Sequence, residues 1–455
     1  MVTLPSGADA GLNVKPFRGI RYAPDRVGDI AAVTSPPYDV ISSEVLASLL
    51  ASSPHNSVRL TLPGPETGGP PGVSPAGALA GRRLGQWLRS GALVRDPSPA
   101  IYIYEQNGSS FLQRGLISLV RVGPPSAAGI FPHEGVMPGP VAGRRTLMRE
   151  TRANLEPIFL VYNGGSGKPS DSGADRLTAS RLVDLTAEES APLLEAVTGD
   201  GRSVGAGWSG EDRVTHRLWP VTDPAAQAAI AADLAGRTAL IADGHHRYAA
   251  YNELREEMHA TGEGAGPWDY GLAFLVDADA YPPQLGAIHR VIPGLPGAEA
   301  ARRAATAFTV RELPDDFDAV MARLAEAARD GGHAFALAGT DGYWLLTRPD
   351  ATRLAAAMPA GTSPRWRSLD AAVLRELLLA GLWGIEDNER DVLVSHDAAD
   401  AVRLARSGGG TAVLCNPVPF AAVRDIAADG ECVPRKSTSF GPKPRTGLVF
   451  RTLDD

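Results

Sequence analysis

Along the chain, the sharpest change in hydrophobic pattern falls between residues 237 and 260. The run Arg237-Thr238-Ala239-Leu240-Ile241-Ala242 stops abruptly at Asp243-Gly244-His245-His246-Arg247. Beyond it Ala249, Ala250, Leu254 and Met258 fall near one helical face, with Arg255, Glu256 and Glu257 off it. The pattern predicts a strand, a tight turn and a helix. Upstream, residues 14–33 read as strand and loop. Residues 35–41 read as a rigid loop, because each X-Pro step holds its predecessor extended. Ser42 or Ser43 caps a helix to about residue 53, and residues 55–60 look like a loop entering a short strand. A second helix covers 78–90 and ends at Gly91. Residues 100–104 and 116–120 flank Asn107-Gly108, a hairpin signal. Residues 130–154 are polar and lack clear periodicity, 157–162 read as a buried strand, and 63–77 and 163–175 as Gly/Pro/Ser loops. A helix near 187–197, a strand near 214–219 and a helix near 224–234 lead into the turn.

Downstream, strands are expected at 272–276 and 287–292, and from Pro293 helices and strands alternate regularly. Helices fall near 297–307, 315–329, 369–382, 398–406 and 418–428, and strands near 333–338, 342–347, 391–395 and 411–415. The tail, 434–453, is basic and then β-like, and residues 1–11 read as a disordered lead-in. No internal repeat or heptad pattern interrupts this order.

Composition narrows the class. With 455 residues, 44% hydrophobic and 21% charged, the chain can bury two or three ordinary domains. A net charge of −8 argues against a broad nucleic-acid surface. Two cysteines, Cys415 and Cys432, form no disulfide framework and suit a reducing cytoplasm. No signal peptide is expected, and the most apolar helix, 369–385, is broken by Asp370, Arg375 and Glu376, so no membrane span is expected either. Only four of the 44 basic residues are lysines, and two of these, Lys436 and Lys443, lie close together near the C-terminus.

Candidate chemistry gathers at the turn. A strand–turn–helix junction aims backbone N–H groups and the positive end of the helix dipole at one point, which suits an anion. Gly244 permits close backbone approach, and His245, His246 and Arg247 add donors suited to phosphate. The same residues also fit an ordinary helix start with solvated polar groups. His133-Glu134 pairs an imidazole with a carboxylate, as base and orienter require, or as a surface loop allows. Arg144, Arg145, Arg149 and Arg152 include pairs at helical spacing. Lys436-Ser437-Thr438 with Lys443 brings two ammoniums and hydroxyls together. Gly164-Gly165-Ser166-Gly167-Lys168-Pro169-Ser170 is not a P-loop: Tyr162 stands where its first glycine belongs and Pro169 where its hydroxyl belongs. Histidine or cysteine metal spacing, a G-x-S-x-G elbow and a G-x-G-x-x-G turn are all lacking.

The ordered set Pro36-Pro37-Tyr38-Asp39-Val40-Ile41, His133-Glu134, residues 154–162, Asp243-Gly244-His245-His246-Arg247, His289-Arg290-Val291-Ile292 and Lys436-Ser437-Thr438 resembles the "domain of unknown function 1015" family. The turn also resembles the G-x-H-R-x-x-A phosphate turn of the ParB/sulfiredoxin superfamily, which includes free-serine kinases. The resemblance implies an α+β fold, with a ParB/sulfiredoxin-like mixed-sheet nucleotide region over 12–292 and a C-terminal α/β region over 293–455 whose basic tail returns to the site. It implies ATP or ADP with Mg2+, the metal meeting Asp243 through the nucleotide. It implies a kinase phosphorylating a small molecule, most concretely free L-serine, or alternatively a non-catalytic nucleotide-binding regulator. Glu134 or Asp243 would be the base, with His133 beside it. Gly244, His245, His246, Arg247, Lys436, Ser437, Thr438 and Lys443 would bind phosphate, and Tyr38, Asp39, Asn56 and Arg144 the substrate. The chain departs from the family pattern at Val136, Gly143, Ser439 and Gly441. Sulfiredoxin chemistry fails, because the turn has no cysteine.

Overall fold

The structure, a computed structural model, describes residues 11–64, 75–164, 178–199, 213–329, 332–388 and 390–454. The expected lead-in before residue 11, most of the loops placed at 63–77 and 163–175, and most of the rejected P-loop lie outside these. The architecture is mixed α+β, in two compact units. Residues 1–204, 210–283 and 442–455 form the first, and 205–209 and 284–441 the second.

The first unit is built on a nine-stranded mixed sheet. Its strands are β1 (Val14–Lys15), β2 (Ile101–Asn107), β3 (Leu112–Arg121), β4 (Ile130–Phe131), β5 (Ile158–Tyr162), β6 (Leu194–Thr198), β7 (Val214–Val221), β8 (Ala239–Asp243) and β9 (Tyr270–Asp277). They lie in the order β4-β8-β5-β9-β3-β2-β7-β6, with β1 pairing β3. Pairings of β8 with β4 and of β9 with β5 are parallel, and the rest are antiparallel. All five residues of β5 are buried, as a strand covered on both faces requires. Alternate residues Ile158, Leu160, Ile241, Ala273 and Leu275 share a core with Val141 and Met148 of α1 (Pro138–Thr151) and Tyr248, Tyr251 and Leu254 of α2 (His245–Ala260).

The last segment of the chain is laced into this unit. Ser35 bridges Thr446, Ile20 bridges Phe450, and Arg451 and Thr452 pair with Asn154 and Ala153. Burying Phe450 completely, against Tyr22, pins that return and delivers Lys443 to the unit. The second unit holds a six-stranded antiparallel sheet, in the order Thr309–Leu313, Tyr343–Thr347, Ala334–Ala338, Thr411–Leu414, His289–Ile292, Leu393–Ser395. Val320 and Leu324 of the helix Phe317–Arg329 and Ala401 and Ala405 of Ala398–Ser407 complete its core.

The strand–turn–helix, the hairpin, the helix at Pro224–Leu234 and most downstream elements stand where the pattern puts them. Four expectations are corrected. Residues 130–154 contain α1, hidden because only Val141, Leu147, Met148 and Thr151 are buried; Pro138 and Pro140 sit in its first turn, where no N–H is needed. The helix expected at 187–197 is displaced to Ala179–Glu189: Thr178 caps it, and the step before Pro192 ends it. Strand β6 then follows, with Leu194 and Ala196 inward and Glu195 outward. Val58–Thr61 is a helical turn, not a strand, and Thr309–Leu313 is an additional strand with mostly exposed residues.

Candidate functional site

Strand β8 changes register at its end: Ile241 pairs with Leu160, yet Asp243 pairs with Phe159, so Ala242 is the extra residue of a bulge. Such a bulge re-aims the side chain that follows. Gly244 then turns the chain at φ +92°, and a Cβ there would lie 3.1 Å from three atoms of the Arg247 guanidinium. Glycine meets both demands, and α2 begins at His245 with its first N–H groups facing the turn.

The side chains at this point form an alternating chain of charge. Asp243 Oδ2 meets Arg247 Nη2 at 2.5 Å, and Asp243 Oδ1 meets Lys443 Nζ at 2.6 Å. The same Lys443 ammonium lies 3.0 Å from Asp39 Oδ2. Arg247 Nη1 also donates to the Pro157 carbonyl, while its Nε is buried without a hydrogen-bond partner. Tyr38 stands beside the chain, with the Arg144 guanidinium 4.0 Å over its ring and that of Arg247 at 6.0 Å. Glu156 Oε1 accepts from the Tyr38 N–H and the Thr446 hydroxyl, both at 3.0 Å, and Oε2 lies 3.9 Å from Arg144 Nη1. Asp39, Asp243 and Glu156 thus balance Lys443, Arg247 and Arg144.

Burial alone would raise the Asp243 carboxyl; Lys443 and Arg247 outweigh it and hold the group below the usual carboxylate range. Conversely, burial lowers Lys443, but Asp243 and Asp39 overcome this and raise its pKa. Asp243 is therefore an anchored anion and a poor proton acceptor.

The two histidines of the turn use one ring nitrogen each to hold the backbone of a neighbouring loop. His245 Nε2 accepts the backbone N–H of His133 at 3.3 Å, His246 Nε2 accepts that of Met137 at 3.1 Å, and the His133 and His245 rings meet edge to face at 4.5 Å. They tie residues 133–137 to the first turn of α2. Burial pushes the pKa of His133 and of His245 down to about 3, helped by mutual repulsion at His133 and by His246, Lys443 and Arg247 at His245. Both rings are neutral, and His245 carries its proton on Nδ1. An unfolded chain protonates such rings below about pH 6.5, whereas these native rings resist until about pH 3. Between those values the unfolded state binds more protons, so stability falls as pH falls, by up to about 1.4 kcal/mol per pH unit per ring. Chemical denaturation from about pH 7 to about pH 4 should show this slope. It should be shallower in His245→Gln, and an unchanged slope in that variant would refute the assignment.

Other expected residues are distributed unevenly. Glu134 is half-buried beside His133, whose proton affinity its charge raises. Asn56 is fully buried and spent on the backbone: its amide donates to the Ala32 and Thr34 carbonyls, and its oxygen accepts from Val58 N–H. Arg144 donates to the Thr61 carbonyl at 2.9 Å as well as covering Tyr38. Lys436, Ser437 and Thr438 belong to the second unit, where Ser437 donates to the Pro434 carbonyl. Glu156 and Thr446 were not anticipated. The former stands inside the 154–162 segment of the ordered set, directly before Pro157 and a buried strand, and the latter has no sequence signal. Both Asp243 oxygens already hold cations, so this donor set does not fit a protein-held magnesium. Among the described residues no group of three or more His, Cys, Asp or Glu could hold a metal. No helix among them is long and apolar enough to cross a membrane.

The fold is a mixed α+β one, in which a sheet strand ends in an acid, a left-handed glycine and a histidine–arginine helix start. The chain belongs to the family described as "Protein of unknown function (DUF1015)", whose model matches residues 14–372. Among curated proteins none matches it. Solved structures similar to it include a free serine kinase in complex with AMP, at 14% identity and TM-score 0.34, covering 73% of this chain and 92% of that one. SbnI with a C-terminal truncation, from Staphylococcus aureus, is 11% identical at TM-score 0.35, covering 74% and 90%. A conserved hypothetical protein from Pyrococcus furiosus is 13% identical at TM-score 0.34, covering 74% and 96%.

Proposed function

We propose that the Asp243–Arg247 turn is a ParB/sulfiredoxin-like phosphate site, and that the protein transfers a phosphoryl group from ATP or ADP to a small hydroxyl-bearing substrate. Free L-serine is the substrate that the resemblance of the motifs suggests. The observation that carries this reading is the position of Lys443, an ammonium shared by two carboxylates at a helix N-terminus. An ammonium has three donors, and two point at Asp39 and Asp243. The third can meet a phosphate, whose charge then competes with Asp39 for the lysine.

In this reading the N–H groups at the start of α2, Arg247 and Lys443 neutralise the transferring group, the largest task in phosphoryl transfer. The substrate hydroxyl oxygen forms the new bond to phosphorus as the bond to the nucleotide's bridging oxygen breaks. Its proton goes to Asp39, loosened from Lys443, or to Glu134. Asp243 keeps both cations in place instead of acting as base. Tyr38, with Arg144 over its ring and Glu156 under its backbone, forms the wall against which substrate is set. Magnesium, if it accompanies the nucleotide, is held by the phosphates.

Incubation of the full chain with ATP or ADP, magnesium and L-serine should yield O-phosphoserine by mass spectrometry. Neither product nor nucleotide turnover with any hydroxyl amino acid would end the kinase reading. Nucleotide-dependent thermal stabilisation without product would instead support a non-catalytic binder, the role favoured by the two ion pairs that lock Asp243.

A further inference from the structure

The first unit contains a second concavity that this chemistry does not use. It lies where the last turns of α2 meet β1, β3 and the start of β9, and encloses about 760 Å³, within the range of small-molecule sites. Arg255 and His259 of α2 line it. They are ten and fourteen positions beyond His245, so at 1.5 Å per residue they lie about 15–21 Å along the helix from the phosphate turn. One small ligand cannot touch both places.

Its lining is unlike the rest of an acidic chain. Lys15, Arg18, Arg121, Arg255 and Arg451 face it, against a single carboxylate, Asp269. That carboxylate is already engaged: it accepts from Arg255 Nε at 2.9 Å and from the Gly266 N–H at 2.9 Å, and lies 2.7 Å from His259 Nε2. Arg451 is buried, and Asn154 Oδ1, the Tyr270 carbonyl and the Pro267 carbonyl are among the oxygens to which it donates. Arg18 donates to the Asp96 carbonyl, and the Lys15 ammonium stands 4.1 Å over the Tyr270 ring. Among the described residues no carboxylate forms an ion pair with Lys15, Arg18 or Arg121. Between the cations, Phe17, Leu119, Pro267 and the Tyr270 ring supply apolar wall. Cations that outnumber carboxylates in a cleft with apolar walls focus a positive potential, and guanidinium groups match carboxylate and phosphate geometry.

We propose that this cavity is a second binding site, for a small organic anion: a phosphate or carboxylate carried on an aromatic or apolar body. The cations hold the anionic group, and the Phe17–Leu119–Tyr270 wall holds the body. Nothing in this inference depends on the kinase reading.

Isothermal titration of the full chain with phenyl phosphate and with benzoate tests it, beside inorganic phosphate and phenol. At least one of the aromatic anions should bind more tightly than both inorganic phosphate and phenol, and the stronger of the two names the anionic group. Lys15 and Arg121 are exposed, so the double variant Lys15→Ala/Arg121→Ala should fold, and should lose at least about tenfold in affinity. Arg365→Ala, the loss of an exposed arginine in the second unit, should leave that affinity unchanged. Absence of binding by both aromatic anions, equal affinity in the double variant, or an equal loss in Arg365→Ala would each overturn the proposal.

Discussion

Arg247→Ala is expected to lower the stability of the first unit by about 3 kcal/mol and to abolish nucleotide-dependent stabilisation. The guanidinium is almost wholly buried, and it holds Asp243 at one end and the Pro157 carbonyl at the other. Its loss strands a carbonyl and removes one of the two cations that keep Asp243 ionised. Lys443 remains, so the cost stays near the lower end of what a broken buried pair brings. Arg247→Lys should recover part of the charge but not the two-ended grip, because an ammonium lacks the planar fork. The check is the denaturation midpoint at unchanged slope, together with thermal shifts in ATP and ADP. Because Asp243 and Arg247 are in contact, Asp243→Ala/Arg247→Ala should destabilise by less than the sum of the single changes. A midpoint for Arg247→Ala within error of the parent would remove the ion pair from any role in holding the turn.

How much of this site was legible depends on how local each part is. Asp243-Gly244-His245-His246-Arg247 was readable because strand, turn and helix are contiguous and glycine and charge mark the junction. Asp39 and Lys443 were both named in sequence, but nothing in the sequence says that they share a partner: 404 positions separate them. Their meeting depends on the C-terminal segment, whose Thr446 and Phe450 bridge Ser35 and Ile20, a pairing set by tertiary packing of Phe450 and not by local pattern. The histidines have a contact that residue type alone does not reveal. Residue type says nothing of the loop they hold: burial keeps His245 neutral, and its Nε2 accepts the His133 N–H. Helix α1 escaped notice because its buried stripe is thin and its glycines and prolines read as loop, yet it carries Arg144 to Tyr38.

Lys443 offers the most decisive chemical test, since binding, acid stability and turnover all pass through one ammonium. Lys443→Met keeps much of the stem and removes the charge. Any phosphoryl transfer should fall by about 10²–10³-fold, the usual loss when one electrostatic stabiliser is deleted. Acid stability supplies a readout that needs no activity. A carboxyl held below its unfolded value stabilises the fold above that value, about pH 3.9, and loses the contribution as pH falls through the native one. Asp243 is such a group, and Lys443 is the largest influence opposing the effect of burial. Without it, burial raises the Asp243 carboxyl, protonation occurs at higher pH, and the acid-unfolding midpoint moves up. Asp243→Asn placed on Lys443→Met should bring the midpoint back down, because the buried charge is gone. In Lys443→Ala, where the stem is also removed, added ethylammonium should restore part of the lost nucleotide affinity by refilling the space between Asp39 and Asp243. An acid midpoint unmoved in Lys443→Met would mean that the ammonium does not govern Asp243. Retained affinity in Lys443→Ala would place the phosphate elsewhere.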